Sequence, residues 1–180
     1  AVTSDPPEAG AGEFCEDPVP MPEGLDPIWV RCSYQNLVQW IQRIRHHPSD
    51  INGIIDPALQ DTIQRLNDRG HRISKQARLY IPLEDGTYYL PLSRDRVPDI
   101  YISDSEAQQL RCGQILCKTV SPRHHRILLP LMSADGTQLL GVLDLTSNSE
   151  GTVDLNEFIF LRLLWRDFFQ ILLKYQYHNR

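Results

Sequence analysis

Between Phe158 and Tyr175 the chain carries more apolar surface than a single neighbour can cover. Phe158, Leu161, Trp165, Phe168, Leu172 and Tyr175 recur in alternating steps of three and four, which places them on one face of a helix. Phe160, Leu164 and Ile171 fall beside that stripe as a second seam. A helix that is apolar on two sides must be buried on two sides. One face is expected to pack on the chain's own domain and the other on a partner chain. A homodimer through this helix follows, with Phe160, Leu164, Phe168 and Ile171 at the interface. Asp154, with Glu157 three positions on, is the expected N-cap.

The elements before this helix supply its sheet. "ARLYIPLEDGTYYLPL" is two β-favouring runs around Asp85-Gly86, and "RILLPLMSADGTQLLGVLDLTS" repeats the pattern around Asp135-Gly136. Asp-Gly between alternating apolar residues is a strong short-range hairpin signal. Pro82 and Pro91 lack the amide hydrogen a ladder uses and belong at edges or bulges. "DIYIS" at 99–103 is a further candidate strand, and 105–111 a short helix or turn. Upstream, Val30, Leu37, Trp40, Ile41 and Ile44 predict a helix from Trp29 to Ile44 that His46 and His47 close before Pro48. A second helix is expected after Asp56-Pro57, with Leu59, Ile63 and Leu66 on one face. The expected fold is α+β: a central antiparallel sheet of five or six strands, with the N- and C-terminal helices packed together on one face.

Residues 1–27 are rich in Pro, Gly and acidic residues and poor in large apolar groups, which predicts a flexible arm or linker before a domain at 28–180. The chain opens at Ala1, as an excised domain or a processed product would. A formal charge of -5 without a basic cluster argues against a nucleic-acid or anionic-membrane surface. No run approaches the roughly 18–20 apolar residues that span a bilayer. Four cysteines, Cys15, Cys32, Cys112 and Cys117, are too few and too scattered for a disulfide scaffold, which points to a reducing, cytoplasmic setting. Cys112, Cys117, His124 and His125 lack ordinary zinc spacing, and adjacent histidines on an extended segment face opposite ways. No metal and no cofactor is expected. The expected role of 123–126 is an exposed basic loop.

The segment "RILLPLMSADGTQLLGVLDLTSNSEGTVDLNEFIFLRLLWRDFFQILL" resembles a GAF domain, a sensor module related to PAS domains: a strand, a Gly-containing hairpin, a Gly-Val-Leu-Asp strand and a closing helix. The resemblance covers the last third of the chain well and 77–131 loosely. It implies a non-enzymatic regulatory domain that binds a small ligand or a protein partner and signals through its terminal helices. "GQILC", followed by "RILLPL" and "GVLDL", is also similar to the reactive segment of the free methionine-(R)-sulfoxide reductases, which share that fold. That similarity implies an alternative, thiol chemistry at Cys117, with Asp144 in the place of a strand acid. Arg126 stands where that family has an acid and Thr146 where it has a second Asp, and its upstream cysteines have no counterpart. A structural adaptor whose pocket is filled by side chains is the third reading.

The candidate ligand site is Asp144, Arg126, Cys117 and Tyr101. Alternation along "LLGVLDL" places Asp144 on the face of Leu140 and Val142, and an acid in an apolar strand needs a partner, for which Arg126 is the candidate. A structural ion pair and a ligand-recognition group both fit. Tyr80, Tyr88, Tyr89 and Tyr101 are candidate pocket walls or ordinary half-buried sheet residues.

Overall fold

The computed structural model describes residues 23–48 and 52–178, with side chains up to residue 175. Residues 1–22 of the expected arm, Cys15 among them, lie outside the described residues. Two helices, α1 (Pro27–His46) and α2 (Asn52–Asp68), precede strands β1 (Arg78–Pro82), β2 (Tyr88–Leu90) and β3 (Asp95–Val97). A short helix α3 (Asp104–Arg111) leads to β4 (Leu116–Ser121), β5 (His124–Met132) and β6 (Leu139–Ser147), and α4 (Asn156–His178) closes the domain. The six strands form one antiparallel sheet in the order β3-β2-β1-β6-β5-β4.

Local chemistry sets the element ends. The Asp26 carboxylate accepts from the Ile28 and Trp29 amides at 2.8 and 3.2 Å, and Pro27 begins α1 where a missing N–H costs nothing. Leu25 packs against the core, so ordered contacts reach back across the expected boundary at 27. The second helix begins at Asn52, ahead of the predicted Asp56-Pro57 start. An interior proline costs a helix about 3 kcal/mol. Burying Ile54 and Ile55, which are essentially inaccessible, contributes about 1.5–3 kcal/mol each and offsets it. Ser103 and Glu106 form a capping box that starts α3. The segment 99–103 is therefore an approach to this helix; the extra strand lies at Asp95–Val97 instead. Asp154 accepts from the Asn156 amide, but Glu157 makes no capping box: it meets the His71 ring nitrogen at 2.7 Å and Arg69 at 3.5 Å, tying α4 to the end of α2.

Both Asp-Gly turns form as expected, with Gly86 and Gly136 at φ 86° and 73°. In the second, the Ser133 hydroxyl, then the Thr137 hydroxyl and amide, donate to Asp135 and hold its carboxyl at about 2, below the ordinary 3.8. A depressed folded pKa stabilises the fold above the unfolded value, so the Asp135 contribution is complete above pH 3.8 and fades as pH falls through about 2. Carbon-detected NMR titration should show this carboxyl titrating below pH 3.

The sheet divides two cores. Leu79, Ile127, Leu129, Leu131, Leu143 and Leu145 face the layer of α1, α2 and α4, while Tyr80, Leu116, Leu128 and Val142 face α3 with Ile100 and Leu110. The second seam of α4 is not left for another copy. Phe160, Leu164 and Phe168 are only 2, 6 and 2% exposed, and Ile171 is half-buried against the same core. The Phe160 ring lies 5.6 Å from Trp29 and 5.5 Å from Tyr34 of α1. A cavity of about 40 Å³ bounded by Leu164, Phe168, Trp40 and Thr62 lies among all three helices. The chain's own α1 and α2 supply the second surface, which removes the ground for a dimer seam there.

Gly141 sits where α4 approaches closest. A Cβ at this position would lie 2.9 Å from the Phe169 ring and 3.4 Å from the Tyr80 carbonyl oxygen. Phe169 is fully buried and cannot swing away. Gly141→Ala should therefore destabilise the domain by about 1–3 kcal/mol in urea unfolding. A variant as stable as the parent would show that α4 stands farther off.

Candidate functional site

The face of the sheet away from the α1–α4 layer is only partly covered by α3, and a recess of about 290 Å³ opens on it. Its lining is Gln76, Arg78 and Tyr80 from β1 and its approach, Tyr101, Arg126 from β5, and Asp144 and Thr146 from β6. Strand pairing assembles these residues. Arg78 stands directly opposite Asp144, and Arg126 directly opposite Thr146.

Arg126 and Asp144 form the expected ion pair. Nε of Arg126 donates to both carboxylate oxygens at 3.2 and 3.3 Å, and Nη2 donates to one at 2.9 Å. Their side chains are 17 and 11% exposed, so the pair is largely desolvated. Burial alone would lower the Arg126 pKa, but the hydrogen bonds and charge of Asp144 reverse this and hold it above its ordinary value. Nη1 turns to the Tyr101 carbonyl oxygen at 3.4 Å. Lys118, beside Arg126 on β4, reaches the same oxygen at 3.4 Å and the Glu106 carboxylate at 3.0 Å.

Tyr101 is the unusual member. Its φ of 61° is left-handed, an uncommon state for an aromatic residue, and its side chain is 82% exposed at the rim. Tyr80, by contrast, is buried and forms the apolar wall.

Cys117 does not join this site. It pairs with Ile127, and residues directly opposed in a ladder share a face, so Cys117 lies on the helix side of edge strand β4 while Arg126 and Asp144 lie on the other. Partial desolvation raises its thiol pKa, the opposite of what an attacking thiolate requires. Cys117 is a free thiol and Cys112 is disulfide-bonded, so the two do not pair with each other. The segment 123–126 is not an exposed basic loop either. It leads into β5, where His124 is exposed, His125 is buried with its Nε2 unpartnered, and Arg126 is committed to Asp144.

Sequence reasoning missed Arg78, Gln76 and Thr146 as lining residues. The alternation in "ARLYIP" puts Arg78 and Tyr80 on one face, but their approach to Asp144 depends on β1 pairing with β6, which no local signal announces. A second recess of about 580 Å³ runs from the β1–β2 turn along α3, between Leu83, Tyr88, Asp104, Leu110, Arg111 and Leu139. Sequence reasoning missed it as well. Among the described residues no group of three or more His, Cys, Asp or Glu is placed to hold a metal, and no helix is long and apolar enough to cross a membrane.

This arrangement of sheet, flanking helices and recess is the fold of a GAF domain. The phycoerythrobilin-bound GAF domain of a cyanobacterial phytochrome superposes with a TM-score of 0.60 at 10% identity, over 83% of this chain and 100% of its own. The phycocyanobilin-bound GAF domain of a cyanobacterial phytochrome gives 0.59 at 14% identity, over 87% of this chain and again 100% of its own. At such identities the likeness is one of fold. No protein-family model and no curated protein matches the sequence.

Proposed function

We propose that this chain is a non-enzymatic regulatory or sensory domain that binds a small ligand in the 290 Å³ recess and passes its occupancy to α1 and α4. The observation that carries this reading is the Arg126–Asp144 pair. It is a largely desolvated charged pair set into mainly apolar strands at the wall of an open recess. The two fold neighbours, each a GAF domain with a bilin bound, support a ligand site in this architecture.

β6 offers a physical route for the signal. Val142 and Asp144 face the ligand side, Leu143 and Leu145 face the helices, and Gly141 touches Phe169 of α4. A ligand that draws Asp144 or Arg126 toward itself displaces β6, and the close packing at Gly141 passes the displacement to α4. Arg162 of α4 donates to the Gly113 carbonyl at 2.6 Å and so also links this helix to the turn after α3. A ligand can bias two packings only by its difference in affinity for them.

A small-molecule library screened by thermal shift tests the reading. A ligand present at about 100 times its Kd stabilises by about 2.7 kcal/mol, and Thr146→Trp, which fills the recess, should abolish the shift. Hydrogen exchange in α4 should change with the same ligand. A screen without a hit that Thr146→Trp removes would overturn the proposal.

A further inference from the structure

We infer that the recess takes a small organic anion, gripped by Arg78 and the outer edge of Arg126, with its body against Tyr80 and Tyr101. This rests on the reading of the recess as a ligand site.

The balance of charge at the recess carries the inference. Two guanidinium groups line it against one carboxylate. That carboxylate is already spent, since Asp144 accepts from both Nε and Nη2 of Arg126. Two sets of donors remain without an anionic acceptor. Among the described residues, Nη1 of Arg126 has only the Tyr101 carbonyl at 3.4 Å, beyond the usual hydrogen-bond range. Arg78 hydrogen-bonds the Tyr80 side chain, a neutral partner, and feels the charge of Asp144 across the ladder. It is exposed and has no ion-pair partner among the described residues. Lys118 does not add to the excess, because Glu106 neutralises it.

Gln76 and Thr146 complete the polar lining without charge. The chain as a whole has a formal charge of -5, so an uncompensated guanidinium here does not follow from a basic composition. A cationic ligand would meet that guanidinium at close range, and a neutral one would offer its donors a weaker acceptor than an anion does. A carboxylate or phosphate offers acceptors that match the guanidinium fork. Tyr80 supplies a buried aromatic wall, and Tyr101 an exposed ring at the rim. Those rings favour a flat or apolar body behind the anionic group. An anion that engages Nη1 of Arg126 also competes with the Tyr101 carbonyl for this donor. That competition would loosen a residue now held at φ 61°.

Benzoate, benzamide and benzamidinium share a ring and nearly a shape but differ in charge. Each is titrated into the full chain while the backbone amide NMR shifts of Arg78, Tyr80, Tyr101 and Thr146 are followed. Benzoate should bind at least about tenfold more tightly than benzamide, the factor expected from charge-assisted hydrogen bonds, and benzamidinium more weakly than either. Arg78→Gln should remove about that tenfold, with Arg78→Lys retaining part of it. The comparison of the three probes on the unaltered chain needs no variant. Equal affinities for benzoate and benzamide, or an Arg78→Gln chain that binds benzoate as well as the parent, would overturn anion recognition and leave the ligand site standing. Absence of any recess shift with benzoate would overturn it too, and the ligand site would then stand or fall on the library screen.

Discussion

Replacing Trp165 by Ala is expected to lower the melting midpoint by roughly 8–16 °C, from a loss of about 4 kcal/mol at about 2–4 °C per kcal/mol in a domain of this size. Trp165 is 4% exposed at the centre of the helical layer. Its ring meets Phe168 edge-on with centroids 5.0 Å apart, and its indole nitrogen donates to the Thr62 hydroxyl of α2 at 2.8 Å. Truncation leaves a cavity that α1, α2 and α4 can close only by moving together. Trp165→Phe separates the contributions: it keeps most of the apolar area and loses one buried hydrogen bond, about 1 kcal/mol. The Thr62 hydroxyl still donates to the Ala58 carbonyl, which limits the damage. Differential scanning calorimetry of both variants checks this. An Ala variant that melts with the parent would mean that α4 does not pack on α2.

Asp144→Ala is expected to cost about 3 kcal/mol, because it strands the Arg126 guanidinium in a site that is only 17% open to water. The double variant Asp144→Leu with Arg126→Met should recover most of that loss, since a buried pair and a well-packed apolar pair of similar volume are close in free energy. Urea unfolding of the parent, Asp144→Leu, Arg126→Met and the double variant forms a cycle whose coupling energy isolates the pair. High salt should change the result little, because a largely buried pair is weakly screened. A single variant as stable as the parent would show that water already solvates Arg126. A double variant as stable as the parent that no longer responds to ligand would mean the pair is kept for recognition.

The mass of a second copy is not required to cover α4, and the reason separates local from distant information. The periodicity of Phe158, Leu161, Trp165, Phe168, Leu172 and Tyr175 shows that a helix forms and how much of it must be buried. It carries nothing about what buries it. α1 and α2 end at His46 and Asp68, far from the start of α4 at Asn156, and their arrival on the seam of Phe160, Leu164 and Phe168 is a tertiary event. The Glu157 position shows the same competition on a smaller scale. Local chemistry offers it to an N-cap, and the fold gives it to His71 instead.

The sequence alone determined the two Asp-Gly hairpins, the three long helices and the pairing of Arg126 with Asp144, since each depends on residues adjacent in the chain or joined by one short turn. The α+β class followed from their order. The tertiary structure decided what lies beside what. Pairing of β1 with β6 brings Arg78 across from Asp144 and makes the recess cationic. The register of β4 against β5 sends Cys117 to the opposite face, because a shift of one residue in a ladder exchanges the two sides of a strand. Register and strand order are set by the burial of whole faces summed over the sheet. No short stretch of sequence contains that sum.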